Sequence, residues 1–95
     1  MHYVVVCHDK PDSLDLRVAT REAHLAYVKA TDLVTFHVGG PFLSDDGTMI
    51  GSMLIVEAES RTKVDAFVAG DPYGKAGLFR SVEIRPWKVT VGALG

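Results

Sequence analysis

A histidine at position 24 and an acid at position 71 are the residues of this chain best suited to moving protons. An imidazole changes charge near neutral pH and can serve as general acid or base, provided that it touches both a ligand and some water. The helical spacing around it puts Arg17, Thr20, Arg21 and His24 along one flank, beside an apolar stripe of Leu14, Val18, Leu25 and Val28. That predicts a histidine at the border between core and solvent, where plain amphipathic packing is the alternative reading. Asp71 lies in A-G-D-P-Y-G-K-A-G-L-F, residues 69–79. Pro72 and the turn around it hold the acid with little freedom, as an orienting partner for an imidazole should be held. The same Asp-Pro is also a common turn opener, and Asp71 could simply cap a short helical turn over residues 73–76.

Other groups offer less. Ser52, after Gly51, can present a hydroxyl to a bound anion or ketone, or bond to nearby backbone. Arg17 and Arg21 could hold a carboxylate or phenolate, with Arg21 expected to lie nearer the apolar stripe. His2, His8, His24 and His37 contain no local chelate spacing such as H-x-H or H-x-x-x-H, so no metal site is expected. Cys7, the only cysteine, ends an apolar run, where a thiol is usually inert filler. Gly39-Gly40-Pro41 opens no helix and is not a phosphate loop.

These residues must be positioned by regular elements. Residues 2–8 are apolar and β-rich almost without a break, as in a central strand covered on both faces. A helix is predicted over 13–31, capped by Asp12 or Ser13. Leu33–Leu43 and Thr48–Ala58 form a hairpin around Ser44-Asp45-Asp46-Gly47. Ser60 caps a second helix with Val64, Phe67 and Val68 on one side, and Gly70 is expected to end it in the left-handed conformation. Leu78–Val91 returns as strand, where Pro86 requires an edge or a bulge.

Strand, helix, strand, strand, helix, strand is the ferredoxin-like βαββαβ order, an α+β fold with a four-stranded antiparallel sheet. Right-handed crossovers put both helices on one face. The other face then needs a cover, for which a second copy of the chain is the simplest choice, giving a homodimer and leaving room for a higher oligomer. A ligand, another protein or a polar open face are the alternatives.

Ninety-five residues suit one domain spanning 1–95, and 47% hydrophobic with 23% charged residues is ordinary for a globular chain. A net charge of -2 without a basic patch argues against nucleic acid. The first apolar run is too short for a signal-peptide core or a membrane span, and one unpaired cysteine fits a reducing, cytoplasmic setting.

Five motifs in register carry a resemblance: R-x-x-H-L (Arg21, His24, Leu25), G-G-P (Gly39 to Pro41), D-G followed by G-S (Asp46, Gly47, Gly51, Ser52), D-P-Y-x-x-A-G-L-F (Asp71 to Phe79) and a late P-W (Pro86, Trp87). Together they resemble the YciI, or YCII-related, family. The resemblance implies a dimeric α/β barrel of ferredoxin-like protomers, with His24 and Asp71 matching a histidine and aspartate pair proposed as catalytic. One branch of that family eliminates chloride from a chlorinated hydroxyquinol, and neither metal nor organic cofactor is implied. Arg21, Ser52, Tyr73, Gly40 and Pro41 are then expected to surround a small-molecule ligand. The sequence departs from the pattern at Gly74, where a bulkier residue is usual, and at His37, where an apolar residue is usual. The expected function is acid–base chemistry of lyase or isomerase type on a small cyclic or aromatic metabolite; the alternative is a non-catalytic binding or structural module.

Overall fold

The computed structural model describes residues 1–94. Its elements are β1 (His2–Asp9), α1 (Leu14–Ala30), β2 (Thr35–Leu43), β3 (Met49–Glu57), α2 (Arg61–Gly70), α3 (Pro72–Lys75) and β4 (Phe79–Trp87). The strands form one antiparallel sheet in the order β2-β3-β1-β4, the ferredoxin-like arrangement expected. Alternation along β1 sends Tyr3, Val5 and Cys7 under the helices, opposite Val56, Leu54 and Ser52 of β3. Val64 and Phe67 of α2 and Leu78 close this core, all with no exposed surface. Burying each such side chain contributes about 1.5–3 kcal/mol.

The opposite face carries no helix. Val4, Val6, Ile55 and Val38 lie on it, so β1 is central but covered on one side only. β4 is an edge strand, which is how Pro86 is accommodated; it stays in register opposite Tyr3, without a bulge. The last strand ends at Trp87, short of the expected Val91, because Val89 and Val91 have no neighbouring strand to pair with.

Two terminal expectations are corrected. Ser13 stands at the start of α1, but its hydroxyl donates to the Pro11 carbonyl and caps nothing. Gly70 is not left-handed: positive φ among the described glycines occurs at Gly47, Gly77 and Gly92. Glycine is needed at 70 for proximity, since a Cβ there would lie 2.5 Å from the Tyr27 hydroxyl oxygen. Ser60 does cap α2, accepting from the Lys63 N–H at 3.4 Å.

Candidate active site

α1 is turned about its axis relative to the expected stripe. Its buried residues are Arg17, His24 and Val28, while Leu14, Val18 and Leu25 are exposed. Arg17 and His24, seven residues or two turns apart, therefore point together toward the sheet. His24 is only 7% exposed, deeper than a border position.

Asp71 stands in extended backbone between α2 and α3, and Pro72 starts the short helix that follows. Its Oδ1 accepts from the Tyr73 backbone N–H at 2.9 Å and meets His24 Nδ1 at 2.9 Å. The turn-capping and imidazole-orienting roles are thus filled by one oxygen. Against an ionised carboxylate, which can only accept, Nδ1 is the donor, and Nε2 is the ring nitrogen left free of Asp71. The imidazole is also stacked on the Tyr73 ring, with centroids 4.2 Å apart and planes 19° from parallel.

Arg17 is held more tightly still. Nε donates to Asp9 Oδ2 at 2.7 Å, while Nη2 donates to Asp9 Oδ1 at 2.8 Å and to Ser52 Oγ at 2.9 Å. Its guanidinium carbon lies 4.7 Å from the Tyr73 ring centroid, within cation–π range. Burial opposes the guanidinium's charge, yet the Asp9 hydrogen bond and the Asp9 charge raise its pKa above the ordinary value. Burial likewise pushes the Tyr73 phenol up, against the lowering effect of Arg17, so the ring enters the site as a neutral phenol.

A cavity of about 710 Å³ opens between α1 and the β2–β3 pair. Of the residues anticipated from sequence, His24, Arg21, Ser52, Tyr73, Gly40 and Pro41 all line it. Asp71 does not; it stands behind His24. Arg17 lines the cavity and is 3% exposed, whereas Arg21, judged the better anchor from sequence, is an exposed side chain at the rim. The signal that could have singled out Arg17 is Asp9 at the end of the first strand, eight residues before it. Ser52 accepts from Arg17, which leaves its own hydroxyl hydrogen to donate toward the cavity. Cys7 lies beneath, its thiol pushed up to about 12 by burial first and by the Asp71 charge second, which fits an inert core residue. His37, one of the two departures from the family pattern, lies on the helix-free face with its Nε2 3.0 Å from Glu57 Oε1. Gly74 is exposed in α3.

This chain matches the YCII-related domain over residues 1–88. The protein YciI of Escherichia coli is 35% identical to it, over 93% of this chain and 97% of its own length. Among solved structures, 5-chloro-2-hydroxyhydroquinone dehydrochlorinase of Burkholderia phenoliruptrix, in complex with 2,5-dihydroxybenzoquinone, superposes with a TM-score of 0.83. That enzyme shares 42% identity, over 93% of this chain and 94% of its own. A candidate antibiotic biosynthesis monooxygenase from Bacteroides thetaiotaomicron superposes with a TM-score of 0.62 over 100% of this chain and 93% of its own. Its 12% identity makes that a likeness of fold alone.

Proposed function

The chain belongs to the YCII-related family, and from that membership and the cavity's geometry we propose that it is a small enzyme performing His/Asp acid–base chemistry on a small cyclic or aromatic metabolite. The observation that carries the reading is the bifurcated acceptor at Asp71 Oδ1, with the Tyr73 N–H and His24 Nδ1 each at 2.9 Å. A backbone donor fixes the carboxylate, the carboxylate fixes the ring, and Nε2 becomes the base.

The chemistry is elimination or isomerisation. His24 Nε2 takes a proton from the ring carbon or hydroxyl, and the released electron pair forms a new double bond. In an elimination the bond to the leaving anion breaks; in an isomerisation His24 returns the proton to another carbon. Asp71 stabilises the imidazolium that forms in between. Arg17 and the Ser52 hydroxyl line the same cavity and are the donors we assign to a developing enolate or phenolate oxygen, since preorganised donors reduce the cost of forming that charge. Tyr73, stacked on the imidazole, fixes the plane in which His24 meets a ligand. The Burkholderia relative removes chloride from an oxygenated ring, which supports lyase chemistry on a substrate of that size. The residues provide for these steps without a cofactor.

In this reading residues 1–95 form one domain of a cytoplasmic homodimer whose helix-free sheet faces pack together. Val4, Val6, Ile55 and Val38 supply the apolar surface for that packing. Among the described residues no helix is long and apolar enough to cross a membrane.

His24→Asn tests the reading. Turnover of chlorinated or hydroxylated quinols should fall by about 10²–10⁴-fold while affinity for 2,5-dihydroxybenzoquinone, measured by calorimetry, stays within a few-fold. Parent protein that binds such rings and turns none over would instead make the chain a binding module.

A further inference from the structure

We propose that the helix-free face of the sheet carries a site for a borderline divalent cation of the zinc, cobalt and nickel class, formed by His2, His37 and Glu57. Sequence spacing argued against a metal because no two histidines form a local chelate. The fold supplies what spacing does not, since three strands each bring one ligand to the same end of the sheet. His2 is directly opposite Glu57 in the β1–β3 register, and Thr35, two residues before His37, is opposite Glu57 in the β2–β3 register.

The placement of His37 depends on an irregularity. The β2–β3 register shifts between Phe36 and Val38, making His37 the extra residue of a bulge. A bulge re-aims a side chain that strict alternation would send elsewhere. Here the result is His37 Nε2 at 3.0 Å from Glu57 Oε1, with His2 Nε2 at 3.7 Å from the same oxygen. The two imidazole centroids are 5.0 Å apart. One ligand atom from each of the three residues lies within 4.8 Å of the other two.

These separations suit coordination. Zinc holds imidazole nitrogen and carboxylate oxygen at about 2.0–2.2 Å, so adjacent ligand atoms of a tetrahedron are about 3.3 Å apart. Both Glu57 distances fall close to that edge length, and closing the His2–His37 pair needs a movement of roughly 1–1.5 Å by partly exposed side chains. Two neutral imidazoles and one carboxylate give a site of charge about -1, suited to a dication, and this mixed nitrogen and oxygen set favours zinc-like ions over calcium or magnesium. On binding, the neutral His37 ring shifts its single proton from Nε2 to Nδ1, and the Nε2 lone pair that is freed coordinates the cation. The fourth position is left for water. His2, His37 and Glu57 lie at the end of the face, beyond Val4 and Ile55, and the site rests on that end staying open when the sheet faces pack. None of this depends on the His24 cavity, which opens on the helix side.

The test titrates metal-free full-length protein with Zn²⁺ by calorimetry and with Co²⁺ by visible absorption. The parent should bind one equivalent per chain and develop the intense d–d bands of a low-coordinate cobalt site. His37→Ala and Glu57→Gln should each weaken Zn²⁺ binding by roughly tenfold or more, and the double variant should abolish the cobalt bands. His8→Ala, on the same face but outside the cluster, should change neither readout. All these residues are at least partly exposed, and far-UV circular dichroism verifies that each variant is folded. Absence of saturable binding to the parent, or full binding retained in the folded double variant, overturns the proposal.

Discussion

Replacing Arg17 by methionine removes the most heavily engaged charge in the protein while keeping a long apolar side chain. Three charge-assisted hydrogen bonds are lost, two to Asp9 and one to Ser52, from a pair whose side chains are 3% and 4% exposed. At about 1.5 kcal/mol each, the low end for bonds to charged groups, they account for about 4–5 kcal/mol. The cost of breaking a buried ion pair from one side, about 3–5 kcal/mol, agrees with that figure, because the carboxylate left behind has no compensating partner. Domains of this size have only about 5–15 kcal/mol in total. Urea denaturation followed by the fluorescence of Trp87 should show the midpoint falling by roughly 2–3 M, taking an m-value of about 1.5–2 kcal/mol/M. The double variant Arg17→Met with Asp9→Leu distinguishes a stranded charge from lost packing. It should recover most of the loss, since well-packed apolar replacements of buried pairs are often neutral. A single variant within about 1 kcal/mol of the parent would refute the reasoning. A double variant no better than the single would shift the cause to the contact with Tyr73.

Cys7 should resist thiol-specific reagents in the folded protein at pH 8 and react on unfolding, as a quench assay in rising urea would show. Its folded pKa, about 12, is raised above the ordinary 9.0, so burying the thiol contributes stability that is complete below about pH 9 and is lost as pH rises through about 12. A Cys7→Ala variant should lose stability less steeply over that alkaline window, and parallel slopes would contradict the assignment. Gly70→Ala should cost about 1–3 kcal/mol by driving Cβ against the Tyr27 hydroxyl, and a Tyr27→Phe background should relieve part of that penalty in thermal melts.

The order of the elements was legible because hydrophobic period and turn chemistry agree along the chain. Ser44 to Gly47 do make the hairpin turn, Pro86 does lie on an edge strand, and the motifs from Arg21 to Trp87 do mark the family. Two physical effects hid the rest. The face of α1 could not be read from hydropathy, because the inward residues include Arg17 and His24, whose burial is offset by partners on β1, on β3 and at the end of α2. A rule that buries leucine and exposes arginine turns such a helix the wrong way. The face of His37 could not be read from alternation, because a bulge breaks the period on which face assignment rests. Gly70 was correctly marked as special, but the constraint came from a tyrosine forty-three residues earlier, beyond the reach of local φ preferences.

The inverted helix α1 has a consequence for how this chain can diversify. Its buried Arg17 is a structural support as well as a cavity-lining group, so changes at that position reach the core as well as the cavity. Variation is thereby channelled to the cavity mouth, where Arg21, Leu25 and Lys29 can change without loosening anything beneath them. Selection acting on such a fold can reshape the cavity's entrance far more readily than its floor.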